Sequence, residues 1–362
     1  MKKPYLNSIE YIRGVSMLGV VAIHVGSQYL MNPTPNLHLV ALFEIVSRFS
    51  VPIFFFISAF GLFYKIDLNA PFDYKNFLRR RFKAVLYPYL IWSVIYFTHD
   101  NNFFAYGLPD AGFVIEVLFF GLAKYQLYFL VILIWFYLLM PLWIKIIKSL
   151  TLTKFAAIFF AQIFFNYFSS YNVALSQFIN SLPYDSILKM FLMWRLNYLV
   201  LHYVFVFLLG GILAIHSEKF FKWLSENKIL VTLFFAATLI LHLGYFYALI
   251  YWENYLPLDA VNTAHQLSPT GFLYTIATSI FLFMLFENVQ FDGLTQKFLS
   301  LTGKNSYFVY LFHPFVITYL NLLLAKLNLL LTAVNAIIFY LLTALISLTF
   351  ALLWKKFNGG GK

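Results

Sequence analysis

The 362-residue chain contains no cysteine. Disulfides, thiolate-bound metals and cysteine nucleophiles are therefore excluded, and covalent chemistry would have to use Ser, Thr, Tyr, His or a carboxylate. Charge is scarce as well, with 11% of residues charged and only 14 acidic side chains against 25 basic ones. A soluble domain carries roughly a quarter charged residues, so the soluble globular class is excluded too. Apolar residues fill the gap: 62% of the chain is hydrophobic and 22% aromatic, at a mean hydropathy of +0.79. That composition reads as an all-α, polytopic membrane bundle, because a helix satisfies its own backbone polar groups inside hydrocarbon. The net charge of +11 is then a topology signal, and nucleic acid is set aside as a partner. No spacing resembles a metal site.

Apolar runs long enough for a ~30 Å hydrocarbon core predict ten transmembrane helices. They fall near 8 to 29, 39 to 64, 84 to 99, 126 to 147, 154 to 170, 197 to 215, 229 to 251, 269 to 287, 306 to 325 and 330 to 354. Of the 25 Lys and Arg residues, 19 fall at the N-terminus, the C-terminus and alternate loops, 4 in the opposite loops, and Arg13 and Arg48 inside spans. The positive-inside rule then places both termini in the cytoplasm. Lys2-Lys3 precedes an apolar run, but no small-residue cleavage site follows, so the run is kept as a span. The segment 100 to 125 is too short to cross and is expected to be re-entrant or interfacial, and 172 to 196 looks similar. Residues 1–358 form a single predicted domain, with Gly-Gly-Gly-Lys at 359 to 362 as a tail. There is no convincing internal repeat and no inverted pair of broken helices of the transporter kind.

The first span holds the anomaly that organises the rest. Arg13 and His24 lie eleven positions apart, about three turns, so they share a helix face at a separation of about 16 Å along the axis. An ionisable residue inside a span costs about 2.5 to 3.5 kcal/mol on insertion scales and usually faces a cavity or a partner. In the second span Glu44 and Arg48 stand four apart and can pair, either to let the helix insert or to build a polar pocket with His24. Of these groups only His24 has an ordinary pKa suited to base work near neutrality. A lone membrane histidine can also simply bond one helix to another. In the ninth span Ser306, Tyr310 and His313 share a face by spacing, and Pro314 frees a backbone carbonyl. The basic run Lys75-Asn-Phe-Leu-Arg79-Arg80-Arg81-Phe-Lys83 can anchor anionic lipid headgroups. It also suits a phosphorylated ligand such as coenzyme A, since arginine holds phosphate oxygens in pairs.

Five of these stretches, in order, resemble the integral-membrane acyltransferase-3 family over nearly the whole chain. Arg13 and His24 fit its Arg, ten residues, His element. Pro52-Ile-Phe-Phe-Phe-Ile-Ser58 is similar to its Pro-x-Phe-Phe run, with Ala59 where Gly is usual. Arg79 to Tyr89 resembles its basic cytoplasmic element, the pair being Arg80 with Lys83 in one register. Tyr125-Gln-Leu-Tyr-Phe-Leu130 matches a further signature, with Gln126 where His is common. Leu301-Thr-Gly-Lys-Asn-Ser-Tyr and Tyr310-Leu-Phe-His-Pro314 match the ninth-span signature.

The resemblance implies an enzyme of the cell membrane, in a bacterium the plasma membrane, that O-acylates polysaccharides, lipids or other sugars. Its expected co-substrate is acyl-CoA, most simply acetyl-CoA, with no metal. On that basis Arg80, Arg81 and Lys83 are candidates for the donor phosphates. His24 is the candidate base, with Arg13, Glu44 and Arg48 around it, and Ser58, Tyr310 and His313 would line the substrate path. Expected partners are acyl-CoA, a glycan or lipid-linked sugar acceptor and membrane lipids, with a homo-oligomer allowed. A transporter or flippase for polysaccharide or lipid-linked sugar is the alternative class, and a channel or structural membrane protein the third.

Overall fold

In a computed structural model, residues 4–100 and 110–359 are described, and every regular element among them is helical. Lys2, Lys3, residues 101–109 of the expected re-entrant segment and residues 360–362 of the tail lie outside the described residues. The chain divides into two compact units, one formed by Met1–Lys65 with Leu209–Lys362 and the other by Ile66–Leu208.

The first unit begins with α1 (Asn7–Tyr29) and α2 (Leu37–Val40), which runs through a π-turn (Ala41–Ile45) into α3 (Ser50–Phe63). The second unit begins with α4 (Tyr74–Arg81), a second π-turn (Phe82–Leu86), α5 (Tyr87–Asp100), α6 (Ala111–Phe120), α7 (Tyr128–Leu138) and α8 (Met140–Lys148). It continues with α9 (Leu152–Tyr171), α10 (Val173–Ser181), α11 (Ile187–Met193) and α12 (Arg195–Tyr198). A 3-10 turn (Val200–Tyr203) then leads to α13 (Val204–Ile215), along which the chain passes back into the first unit. There follow α14 (Ser217–Glu226), α15 (Lys228–Tyr251), α16 (Pro257–Thr263), α17 (Pro269–Asn288), α18 (Gly293–Lys326) and α19 (Ala333–Gly359).

Six helical segments among the described residues are long and apolar enough to cross a membrane: α1, Leu37–Phe63, α15, α17, α18 and α19. Two bent pairs, α7 with α8 at 61° and Val200–Ile215 with α14 at 94°, raise the number to eight if each is one span. The ten expected spans are therefore six to eight by length and composition. The stretches 84 to 99 and 154 to 170 are helical but fall outside the set. The first is only the 14-residue α5, continuing from a basic helix, and α9 carries Lys154, Gln162 and Asn166. The apolar α6, ten residues long, is too short to cross and stops at Gly121, whose φ of 71° is left-handed.

α1 is the hub of the first unit. It touches α18, α3, α17 and α19, and Ile12, Met17, Val20, Val21, Val25 and Tyr29 are all buried around it. Its closest neighbour is α18, which starts at Gly293, well before the expected boundary near 306. Asp292 caps it by accepting from the Thr295 N–H at 2.7 Å. Thr302-Gly303 therefore lies inside the helix, and Gly303 has a packing duty. A Cβ there would overlap the Glu10 carbonyl oxygen, and one on Gly14 would stand 2.7 Å from the Leu299 carbonyl oxygen. In lipid no hydrophobic force presses helices together, so small residues that let backbones approach supply the van der Waals contact.

Gly303→Ala should therefore lower the stability of the detergent-solubilised protein by about 1 to 3 kcal/mol through overpacking, read as a drop in thermal midpoint. Gly303→Leu should abolish the folded species, and a midpoint equal to that of the unsubstituted protein would show that the two helices do not need this approach.

Candidate active site

The glycine contact sets the register of α1 and α18, which run parallel. Glu10 meets Gly303, and eighteen residues further along each helix Asn321 Nδ2 donates to Gln28 Oε1 at 2.8 Å. Between these two points the rings of His24 and His313 stack, with centroids 5.2 Å apart and planes 21° from parallel. His313 is fully buried, and its Nδ1–H donates to the Val309 carbonyl at 3.0 Å. That bond fixes the tautomer and leaves the lone pair on Nε2, which is buried and without a hydrogen-bond partner. The following Pro314 has no N–H to give the Tyr310 carbonyl, and the Tyr310 ring lies 6.2 Å from that of His313. Tyr310 and Ser306 are buried with His313, on the face the spacing predicts. The Ser306 hydroxyl is spent on the Gly303 carbonyl at 2.8 Å.

Glu44 sits in the first π-turn, and such turns often occur at functional sites. Its Oε2 pairs with Arg48 NH2 at 2.9 Å, and its Oε1 accepts from Ser27 Oγ at 2.8 Å. Gly26 makes room for the carboxylate, since a Cβ there would stand 3.0 Å from Glu44 Oε1. The Glu44 side chain is 1% exposed and that of Arg48 13%. Arg48 NH2 also donates to the Val261 carbonyl at 3.4 Å. The charge of Arg48 acts on His24 and also on His242 and His265, two histidines that nothing in their local sequence joined to this group.

His242 is fully buried in α15, with Nδ1 3.0 Å from Thr270 Oγ1 and its ring stacked on Tyr274. Tyr274 in turn donates to the Val46 carbonyl at 2.8 Å. His265 lies in the loop between α16 and α17, where its Nδ1 accepts the Leu267 N–H at 3.0 Å. Burial, helped by the Arg48 charge, pushes the His265 pKa down to about 4. The signal available for His242 was its own chemistry, an imidazole in an otherwise apolar span. His265 comes within the electrostatic reach of Arg48 only through the fold.

His24, His313, Tyr310, Glu44 and Arg48 thus come together in one polar region of the first unit. Arg13 does not join it. Its NH1 pairs with Glu10 Oε1 at 3.3 Å near the start of α1, where Tyr5 also donates to Glu10 at 2.8 Å. Ser58 is half-buried on α3, ten residues beyond Arg48.

In the second unit, Asp73 caps α4 by accepting from the Asn76 N–H at 3.1 Å. Bonds from Asn76, helped by the charges of Arg80 and Lys75, hold the Asp73 carboxyl below its ordinary pKa. Arg79, Arg80 and Lys83 are exposed. Arg81 instead lies over the rings of Phe77 and Tyr137, 5.5 Å from each centroid, with its Nε buried. His202, fully buried in this unit, is occupied at both ring nitrogens by Asn166 Oδ1 at 3.0 Å and Ser169 Oγ at 3.3 Å. Its place is structural. Among the described residues no group of three or more His, Cys, Asp or Glu is arranged to hold a metal ion.

A family profile described as an acyltransferase domain matches residues 6–354. No curated protein and no solved structure matches the chain.

Glu44→Ala should cost about 3 to 5 kcal/mol by leaving Arg48 buried without its counter-charge, whereas Glu44→Leu with Arg48→Met should cost much less. Equal losses in denaturant unfolding would show that the pair is not acting as a pair. His265 binds its proton more weakly folded than unfolded, so it adds no penalty above pH about 6.5 and destabilises as pH falls toward 4. The thermal midpoint of the unsubstituted protein should therefore drop over that interval more than that of His265→Gln.

Proposed function

The chain belongs to the acyltransferase-3 family and is a multi-pass membrane acyltransferase, and we propose that it moves an acyl group, most simply acetyl, from acyl-CoA to a carbohydrate hydroxyl. In this reading residues 1–358 form one acyltransferase domain in the plasma membrane of a bacterial cell. Both termini face the cytoplasm, where the donor is made, and the acceptor is a glycan or lipid-linked sugar of the cell envelope. The observation that carries the reading is the stacked pair of His24 and His313 beside Glu44 and Arg48.

His24 is the general base. It takes the proton of the acceptor hydroxyl as the oxygen attacks the thioester carbonyl, the C–S bond breaks, and the leaving thiolate recovers the proton from His24. Arg48, within electrostatic reach of His24, is placed to stabilise the oxyanion that develops at the carbonyl. Glu44 holds Arg48 in position. Arg13, near the start of α1, guides the donor's charged end inward, and Ser58, Tyr310 and His313 line the path. The donor phosphates are held by the basic segment of the second unit. Arg80 and Lys83 are exposed for that purpose, and Arg81, anchored over two rings, offers its terminal nitrogens.

A positioned base contributes about 10² to 10⁴-fold. His24→Ala should therefore keep its expression level and thermal midpoint while losing at least about a hundredfold of label transfer from radiolabelled acetyl-CoA into a membrane glycan extract. Turnover equal to the unsubstituted protein would remove His24 from the chemistry. Arg80→Ala with Lys83→Ala should weaken acetyl-CoA binding, and the loss should shrink as salt rises. Unchanged affinity would leave these residues as topology anchors only.

A further inference from the structure

In the acyl-transfer scheme Arg13 guides the donor inward, and the groups that hold Arg13 have no role. They lie at the start of α1. Leu6, in extended conformation, precedes the helix without a side-chain cap, and Tyr5 folds back over the first turn. There Glu10 Oε1 accepts from the Tyr5 hydroxyl at 2.8 Å and pairs with Arg13 NH1 at 3.3 Å. Positions 10 and 13 face alike because residues three apart on a helix are neighbours. α18 closes in on the Glu10 backbone, whose carbonyl oxygen leaves no room for a Cβ on Gly303. Glu10 is 8% exposed, and its Oε2 is buried with no hydrogen-bond partner.

Arg13 is the accessible member. Its side chain is 36% exposed, and NH1 is the guanidinium nitrogen that has a partner among the described residues. Stability does not account for this arrangement. A carboxylate in the first turn favours a helix through its dipole, yet that role needs neither burial nor a tyrosine hydroxyl. An ion pair open to solvent adds little, and a buried carboxylate oxygen without a partner is a cost. What the contacts accomplish is orientation. Tyr5 and the helix fix Glu10, and Glu10 fixes NH1 and with it the plane of the guanidinium. The edge formed by Nε and NH2 lies opposite NH1, so the guanidinium stands between Glu10 and a ligand on that edge. Such an edge is a two-pronged donor that takes two oxygens of one phosphate at once.

We propose that Glu10 and Tyr5 are positioning residues that hold Arg13 by one nitrogen and so present its opposite edge as a fork for a phosphate of the acyl donor. The donor assignment rests on the acyl-transfer reading above, whereas binding is measured without transfer. The test is CoA binding to the detergent-solubilised protein by isothermal titration calorimetry, followed by the donor KM in transfer assays. Glu10→Gln should weaken CoA binding about tenfold and Tyr5→Phe about threefold, with the donor KM raised to match and the acceptor KM in place. Glu10→Asp should keep more of the affinity than Glu10→Gln. Arg13→Lys retains the charge without the fork and should fall close to Arg13→Ala. In an Arg13→Ala background, Glu10→Gln and Tyr5→Phe should have no further effect.

Unchanged CoA affinity in both Glu10→Gln and Tyr5→Phe, or losses that persist undiminished in Arg13→Ala, would overturn the positioning role. If Glu10→Gln does not fold, Tyr5→Phe, at a 64% exposed position, carries the test. Phosphatidylglycerol added to the micelles should compete with CoA no better than phosphatidylcholine. Competition that vanishes in Arg13→Ala would give the fork to a lipid headgroup and overturn its assignment to the donor. CoA binding that follows the variants in a protein that transfers no acyl group supports the fork and overturns the acyl-transfer reading instead.

Discussion

The first unit depends on one close approach, that of α1 and α18 across Gly14 and Gly303. Because the two helices run parallel, a contact at one end fixes what meets three turns later. His24 and His313 each lie ten residues beyond their glycine, and their rings stack. Two imidazoles in an apolar unit are thus juxtaposed by a steric condition well away from either. The geometry of the site is as rigid as the helix pair that carries it.

A second constraint is electrostatic. Glu44 and Arg48 carry opposite full charges into a largely apolar unit, where an unpaired charge is strongly penalised. The irregular backbone between α2 and α3, a π-turn followed by a break before Ser50, lets both side chains and Ser27 satisfy one another. Once held in place, Arg48 acts on three histidines from three different segments. The pair serves as the pivot of the polar region, with one imidazole group on the α1 side and another on the α15 side.

The second unit solves its polar problem differently. Gln162, Asn166, Ser169 and His202 form a neutral network in which the described partners are matched, including Gln162 Oε1 taking the Phe205 N–H at 3.1 Å. A fully matched network rigidifies. Its basic helix remains at the surface, with only Arg81 drawn in over aromatic rings.

The sequence by itself determined the helical membrane class, the existence of intramembrane charges and the relations that are local along a helix. Glu44 and Arg48 pair because residues four apart on a helix must face alike, and Ser306, Tyr310 and His313 are buried together for the same reason. The family was also legible, since its signatures are runs of adjacent residues. Tertiary structure decided everything that depends on which helix lies beside which. It set His24 against His313, and it put His242 and His265 within the electrostatic reach of Arg48. It also made Gly303 an interior contact in a longer helix. Helix contacts in lipid are selected by shape, and the absence of a single Cβ at a crossing point leaves no periodic trace in a sequence.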